Sequence, residues 1–378
     1  MSRSTFTPAD AAELAVVVRS GFVESRHVGS AVVLDPAGSP LISLGAPAVP
    51  VFTRSSLKPL QAIAAMSLGA RVTGASAALA TASHKCEGRH AEVVSGMLDS
   101  AGLCVSDLRC PPAHPADGAF RRQVPDEKSP LFFNCSGKHS AFLMAAVALG
   151  ADTASYLDPE HPVQRRVAEV VESFAGESPA AVGVDGCGAP VFALSLAGLA
   201  RAVGRVVRLG TDCPGDGRDS SAVDPVGPPA EANPSVPGSE RAVDYTAYAA
   251  EARTLIDGVF THPWGIEGKG RPNTTVIERL GVFAKGGAEG VIVMATKSGY
   301  SVAVKCLDGS SRATGLVALT LLDRAGAFDD VTAANDPVVT PELLADVISA
   351  ITDPVTGGTD SEGRTAIVGE VSLGEDLS

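Results

Sequence analysis

The chain has 378 residues, 45% of them hydrophobic and 19% charged, enough to bury a large core. Aromatic residues make up only 4%, so that core must be built from Ala, Val and Leu. The net charge of -13 and the absence of any Lys/Arg-rich run exclude nucleic acid as an expected partner, because binding it requires a basic surface.

The first residues, "MSRSTFTPADAAELAVVVRSG", contain a short apolar part interrupted by acids, and no small-residue cleavage pattern follows. They do not read as an export signal. No apolar stretch reaches membrane-spanning length. A soluble, cytoplasmic protein with no membrane partner is expected. The seven cysteines are an odd number and imply no disulfide framework, which fits a reducing compartment.

In chain order, the first 50 residues read as strands. "FVESRHVGSAVVLD" is rich in Val, "DPAGS" is turn chemistry, and "PLISLG" reads as a partner strand. Helices are expected at about 56–68 and 89–101, the second with Val93, Val94, Met97 and Leu98 on one face. "GKHSAFLMAAVALG" (137–150) reads as a buried helix closed by Gly150. "HPVQRRVAEVVESFAG" opens with proline in its first turn and closes with glycine. "PVFALSLAGLARAVGRVV" (190–207) is expected to be a further helix.

The stretch 211–241 contains no Leu, Ile, Met or aromatic residue and reads as a disordered insertion, because it cannot bury enough apolar area to offset its ordering entropy. Helix resumes at about 243–260. "GVFAKGG", "EGVIVMAT" and "YSVAVKC" read as strands, and "SSRATGLVALTLLDRAG" as a helix packed after them. The tail from Val331 holds one more helix, "TPELLADVISAI". No internal repeat at a fixed period is visible. Strands, then helices, then strands favour an α+β fold over a doubly wound parallel sheet, with first and last strands in one sheet. The whole chain, 1–378, reads as a single catalytic unit: a sheet region from about 17–50 and 281–325, and a helical region from about 56–207 and 243–280.

The chemistry starts at "TRSSLKPLQA" (53–62). If Ser55 caps a helix, Lys58 lies about one turn along on the same face, and Pro59 falls in the first turn, where proline is tolerated. A hydroxyl at a helix N-terminus lies near backbone N–H groups that stabilise an oxyanion, and an amine of lowered pKa can take its proton. S-x-x-K alone is also the ordinary polar start of a helix. Its order adds to it. Ser55-x-x-Lys58 is followed by Ser83 in "ASHKCEGRH" and much later by Lys285 in "AKGGAEG", the order of the serine, second-serine and K-T-G motifs of penicillin-recognising acyl-transfer enzymes. Two members are degenerate: Ser83-His84-Lys85 is not S-D-N, and Lys-Gly-Gly lacks the K-T-G hydroxyl.

"VVVRSGFVESRHVGSAVV", "RSSLKPLQ", "ASHKCEGRH", "FFNCSGKHSAFL", "VDGCGAPVFALSLAGLARA" and "KGGAEGV", in that order, resemble the rhizobial-type, or class 3, L-asparaginases over about 17–322. The resemblance implies a fold like that of serine β-lactamases and penicillin-binding proteins: a mainly antiparallel sheet flanked by helices, with an α-helical subdomain. It implies a homodimer that hydrolyses L-asparagine to L-aspartate and ammonia. Its tandem serine–lysine pairs fall on Ser55 with Lys58 and on Ser83 with Lys285. Arg54, Asn134, His139 and Asp185 match positions lining the family's pocket. Its metal site, usually holding zinc, falls on Cys135, Lys138 and Cys187. The chain departs from the family in its longer 211–241 stretch and in "HPWGIEGKGRPNTT", where members tend to read H-P…A-G-x-G-R-x-x-T; Arg271 and Thr274 keep the end of that pattern.

Read as residues, Cys135 and Cys187 have no C-x-x-C spacing and could be buried free thiols. Each sits in a Gly-rich polar loop just before a segment read as helix, where thiolate is favoured. Lys138 must lose a proton to bind metal, so the expected zinc is structural or affinity-tuning, with the serine supplying the nucleophile. A guanidinium at Arg54 suits an α-carboxylate, and Asp185 an ammonium. His27, His90, His114, His161 and His262 read as structural or surface residues. "TGGTD" (356–360) is similar to a threonine-dependent asparaginase motif but lies outside the block order and reads as a turn. Three rivals remain: a glutaminase or other small-amide amidohydrolase, a β-lactamase-like acyl-enzyme, and a metal-binding regulatory protein with an inactive site.

Overall fold

The computed structural model describes residues 4–211, 244–329 and 337–377. The chain opens with β1 Ala12–Arg19, β2 Phe22–Leu34, β3 Pro40–Leu44 and a two-residue β4, Val51–Phe52. Helices α1 Lys58–Ser67, α2 Gly74–Ala80, α3 Gly88–Ser100, α4 Gly118–Arg121, α5 Ser136–Leu149 and α6 Pro162–Ala175 follow. Next come β5 Ala181–Val184, β6 Pro190–Leu194, α7 Leu196–Thr211, α8 Ala249–Thr261 and α9 Pro272–Leu280. The chain then returns to strands with β7 Phe283–Gly287, β8 Val291–Ala295 and β9 Ser301–Cys306. It closes through α10 Thr314–Arg324, α11 Pro341–Ile351, β10 Val355–Thr359 and β11 Thr365–Leu373.

The main sheet runs β10-β11-β1-β2-β9-β8-β7, with β3 also on β2. Its strand pairs are antiparallel. Early and late strands meet as expected of an α+β chain: Gly29 faces Cys306 and Leu34 faces Ser301 across β2 and β9. Every residue of β8 and β9 is buried, so side chains on both faces are covered. Helices α7 and α10 pack on these two strands. A second sheet, β4-β6-β5, carries β4 directly before the Ser55 turn.

Helix α1 is the axis of the helical layer. Lys58 through Ala65 are all buried in it, and it packs against α5, α6 and α8. Small side chains (Ala62, Ala64 and Ala65) allow those neighbours to approach closely. Helix α5 ends at Gly150 in a left-handed conformation, φ 64°, as its glycine signalled.

Four expectations are corrected. The single helix expected over 190–207 is a strand and a helix, β6 and α7. The junction is Ser195, whose N–H and hydroxyl both donate to Glu177, at 2.7 and 2.8 Å, while its oxygen accepts from Gly198 N at 2.8 Å. The apolar run fits either structure, and pairing of β6 with β4 and β5 decides it. The tail from Val331 holds two strands as well as a helix, and Val355–Thr359 is β10 rather than a turn. Strand β11 pairs with β1, and Gly369 permits the contact, since a Cβ there would lie 1.8 Å from Val18 O. The sheet begins at Ala12, earlier than expected. The 211–241 stretch lies outside the described residues except for Thr211, the last residue of α7. Among the described residues, no helix is long and apolar enough to cross a membrane.

Candidate active site

Ser55 lies in a single 3-10 turn, Arg54–Leu57, that runs directly into α1. Thr53 anchors the turn to β6: its N–H and its hydroxyl both donate to Phe192 O at 3.0 Å. Arg54 adopts φ 51°, an unusual conformation for a side chain of that size, and its Nε donates to Asp185 Oδ1 at 2.7 Å. The half-buried Ser55 hydroxyl makes no hydrogen bond among the described residues.

Lys58 is 1% exposed. Its ammonium donates not to Ser55 but to Ser83 Oγ at 2.9 Å and to the Ala82 carbonyl. Lys285, on β7 and 0% exposed, donates to the same Ser83 Oγ at 2.9 Å and to Gly286 O at 2.7 Å. One hydroxyl therefore bridges two buried amines. Burial, and then the charge of Lys58, push Lys285 down from 10.5 to about 7, against the opposing pull of Glu267 and Cys135. Near neutral pH this amine is a ready proton acceptor.

Strand β7 is the edge of the main sheet, so alternate backbone N–H groups along it face away from β8. Gly287 presses on the Ser55 turn: a Cβ there would come 3.0 Å from Thr53 O and 3.3 Å from Ser55 N. Glycine is what lets the strand and the serine turn meet.

Two further residues complete the wall and were not singled out from sequence. Ser83 N donates to Ile266 O and Lys85 N to Glu267 O, each at 2.9 Å, tying the Ser83 loop to 266–267. The Glu267 carboxylate accepts from Asn273 N at 3.0 Å and from Asn273 Nδ2 at 2.6 Å. Asn273 Nδ2 in turn lies 3.2 Å from where a Cβ of Gly286 would stand, next to Lys285. The available signal was the altered "HPWGIEGKGRPNTT" stretch, which contains both residues. His84 holds the same loop: its Nδ1 accepts from Cys86 N at 3.1 Å, so Nε2 carries the proton toward Ser136 Oγ at 3.0 Å. Burial keeps that ring neutral.

Cys135, Lys138 and Cys187 also converge. Lys138, 2% exposed, donates to Cys187 Sγ at 3.0 Å. A hydrogen bond from Cys187 holds Cys135 well below the usual thiol range against the cost of burial, with help from Lys58 and Lys138. Cys187 is correspondingly pushed up, as the partner that keeps its proton. Burial pulls Lys138 down, but the Cys187 and Cys135 sulfurs outweigh it and raise the amine. The two sulfurs are soft donors of the kind zinc accepts, and the Lys138 amine could join them only after losing its proton. Among the described residues, no group of three or more His, Cys, Asp or Glu could hold a metal, so any ion here would need the lysine.

The remaining expected residues are placed as follows. Asn134 is exposed; its Oδ1 lies 3.1 Å from Cys135 Sγ, and its carbonyl accepts from His84 N at 3.2 Å. His139 is fully buried, with Nδ1 2.7 Å from the Tyr156 hydroxyl and Nε2 lacking a partner among the described residues. Burial, then Lys138 and Lys58, keep its ring neutral. Asp185 is held below the usual carboxylate range, its burial outweighed by the Arg54 hydrogen bond and by Lys138. Thus Arg54 and Asp185 are partners of each other.

A family model described as L-asparaginase II matches residues 15–347. The chain belongs to this family, the rhizobial-type, class 3 L-asparaginases. No curated protein matches the chain. Membership in the L-asparaginase II family implies an amidohydrolase acting on a small molecule. The match spans both amines that meet at Ser83, the thiol–lysine cluster and the Arg54–Asp185 pair.

Proposed function

We propose that the protein is an L-asparaginase that hydrolyses L-asparagine to L-aspartate and ammonia through a serine acyl-enzyme, working as one catalytic unit of β-lactamase-like fold. The observation that carries this reading is the Ser83 hydroxyl bridged by Lys285 and by Lys58, the residue that opens α1 directly after the Ser55 turn, inside an L-asparaginase II match.

Ser55 Oγ attacks the side-chain amide carbon, and its proton enters the Lys58–Ser83–Lys285 chain. The chain accepts it because burial and Lys58 lower Lys285 to about 7. The Ser55 N–H and an outward N–H of β7 stabilise the oxyanion, an arrangement supported by the contact of Gly287 with the serine turn. The carbon–nitrogen bond breaks as the chain returns the proton to the leaving amine, and ammonia departs. Water, deprotonated through the same chain, hydrolyses the β-aspartyl ester and restores Ser55. Arg54 receives the substrate α-carboxylate and Asp185 its ammonium, each exchanging its present partner for one end of the zwitterion.

Cys135, Lys138 and Cys187 would hold a zinc ion, which bound there would cross-link the start of α5 to the 185–189 loop. Its binding requires Lys138 to release its proton.

The test is ammonia release from asparagine and glutamine by purified protein. Ser55→Ala is expected to abolish it while circular dichroism and melting stay those of the wild type. Full activity in that variant would remove Ser55 from its role.

A further inference from the structure

A cavity of about 550 Å³ opens beside Arg54. Neither Ser55, Lys58, Ser83 nor Lys285 lines it. Its volume is in the range of small-molecule sites, roughly 300–1,000 Å³. Its floor is apolar, formed by Val51, Phe52, Ala181 and Ala193 of the small sheet. The Phe52 ring lies across β5, with Cζ 3.1 Å from where a Cβ of Gly183 would be.

Two polar groups on the wall are incompletely satisfied. Lys305 is 8% exposed. Its ammonium donates to Glu289 O and, at 2.9 Å, to Cys306 O, so one of its three N–H bonds is left over. It forms no ion pair among the described residues. The Thr5 hydroxyl is buried and has no hydrogen-bond partner there either. Arg54, the other cation on the wall, is already engaged by Asp185 at 2.7 Å and faces Glu289 at 3.9 Å. Glu289, with its side chain 68% exposed, places one negative charge at the cavity.

A buried amine that forms no ion pair among the described residues, an orphaned hydroxyl and an apolar floor share one recognition chemistry. We propose that this cavity binds a small monocarboxylic acid with an apolar body, its carboxylate on Lys305 Nζ and Thr5 Oγ1 and its chain along Val51, Phe52 and Ala181. Glu289 disfavours a second negative charge, which sets this ligand apart from the dicarboxylate product of asparagine hydrolysis. The site is separate from the amide-cleaving one and touches it only through Arg54.

Titration calorimetry at pH 7 with hexanoate, hexan-1-ol and adipate tests the assignment. Hexanoate should bind one site per chain, and both other probes at least tenfold more weakly. Lys305→Met and, independently, the cavity-filling Ala181→Leu should each weaken hexanoate at least tenfold. The proposal is overturned if hexanoate fails to bind the wild-type protein at millimolar concentration. It is equally overturned if hexan-1-ol or adipate matches hexanoate, or if Ala181→Leu, folded with a wild-type melting profile, leaves binding unchanged.

Discussion

Replacing Lys285 with methionine should make the protein more stable in acid and about 100-fold or more less active. Moving the amine midpoint from 10.5 to about 7 corresponds to a penalty of about 5 kcal/mol on its charged form in the folded state. The folded pKa lies below the unfolded one. Between them the unfolded chain holds a proton that the folded chain has released, so the wild-type protein gains stability as pH rises through this window. The penalty is complete below about pH 7 and gone above 10.5. Lys285→Met removes the penalty but also the donors to Ser83 Oγ and Gly286 O, a loss of about 1 kcal/mol each. The variant should therefore be more stable than wild type by about 3 kcal/mol at pH 6, with the difference vanishing near pH 9. Urea unfolding at pH 6, 7.5 and 9 measures it. The single tryptophan, Trp264, provides the probe, since it packs against His90 and Arg89. Ammonia release in the variant should fall by about 100-fold or more, the scale of a lost proton acceptor. A stability difference that does not change with pH would refute the claim that folding lowers the midpoint of this amine.

Gly287→Ala should lower kcat about 10- to 100-fold with little change in KM, because its Cβ would stand 3.0 Å from Thr53 O and force the Ser55 turn to move by tenths of an ångström; steady-state kinetics report it. Glu267→Gln should move the acid limb of the kcat/KM profile to lower pH, since the carboxylate now pulls Lys285 upward; an unmoved limb would disconnect the two. Wild-type protein should take up one zinc ion per chain with release of protons, and Cys187→Ser should weaken uptake at least 100-fold, as read by metal competition assay.

The four residues carrying the proposed chemistry were legible because their signals are local: a serine one turn ahead of a lysine, a serine leaving a helix, a lysine before two glycines. Their partners were not. The sequence suggests Lys58 for Ser55, whereas the fold directs its amine to Ser83, 25 positions away. Arg54 and Asp185 read as two separate binding groups, and only the turn of the β5–β6 hairpin brings them together. Glu267 was missed because its loop carries no apolar period, and a lone acid there looks like solvent-facing polarity. The 190–207 and C-terminal errors share one cause. A run such as Pro190–Leu194 is equally apolar as strand or helix, and β11 is specified by the free edge of β1 rather than by its own propensity.

Three lysines buried to 2% exposure or less, Lys58, Lys138 and Lys285, stand in one interior, and each is accommodated differently. Lys138 stays charged beside sulfur. Lys58 spends its hydrogen bonds on a carbonyl and a hydroxyl. Lys285 has its proton affinity lowered to about 7. These solutions are linked, because the Cys135 thiolate that Lys58 and Lys138 help to stabilise also pulls Lys285 upward. A zinc ion on the sulfurs would cancel that negative charge and take the place of the Lys138 proton. Both centres would then belong to one charge balance, and a bound metal would tune the amine proposed to accept the serine proton without touching the substrate.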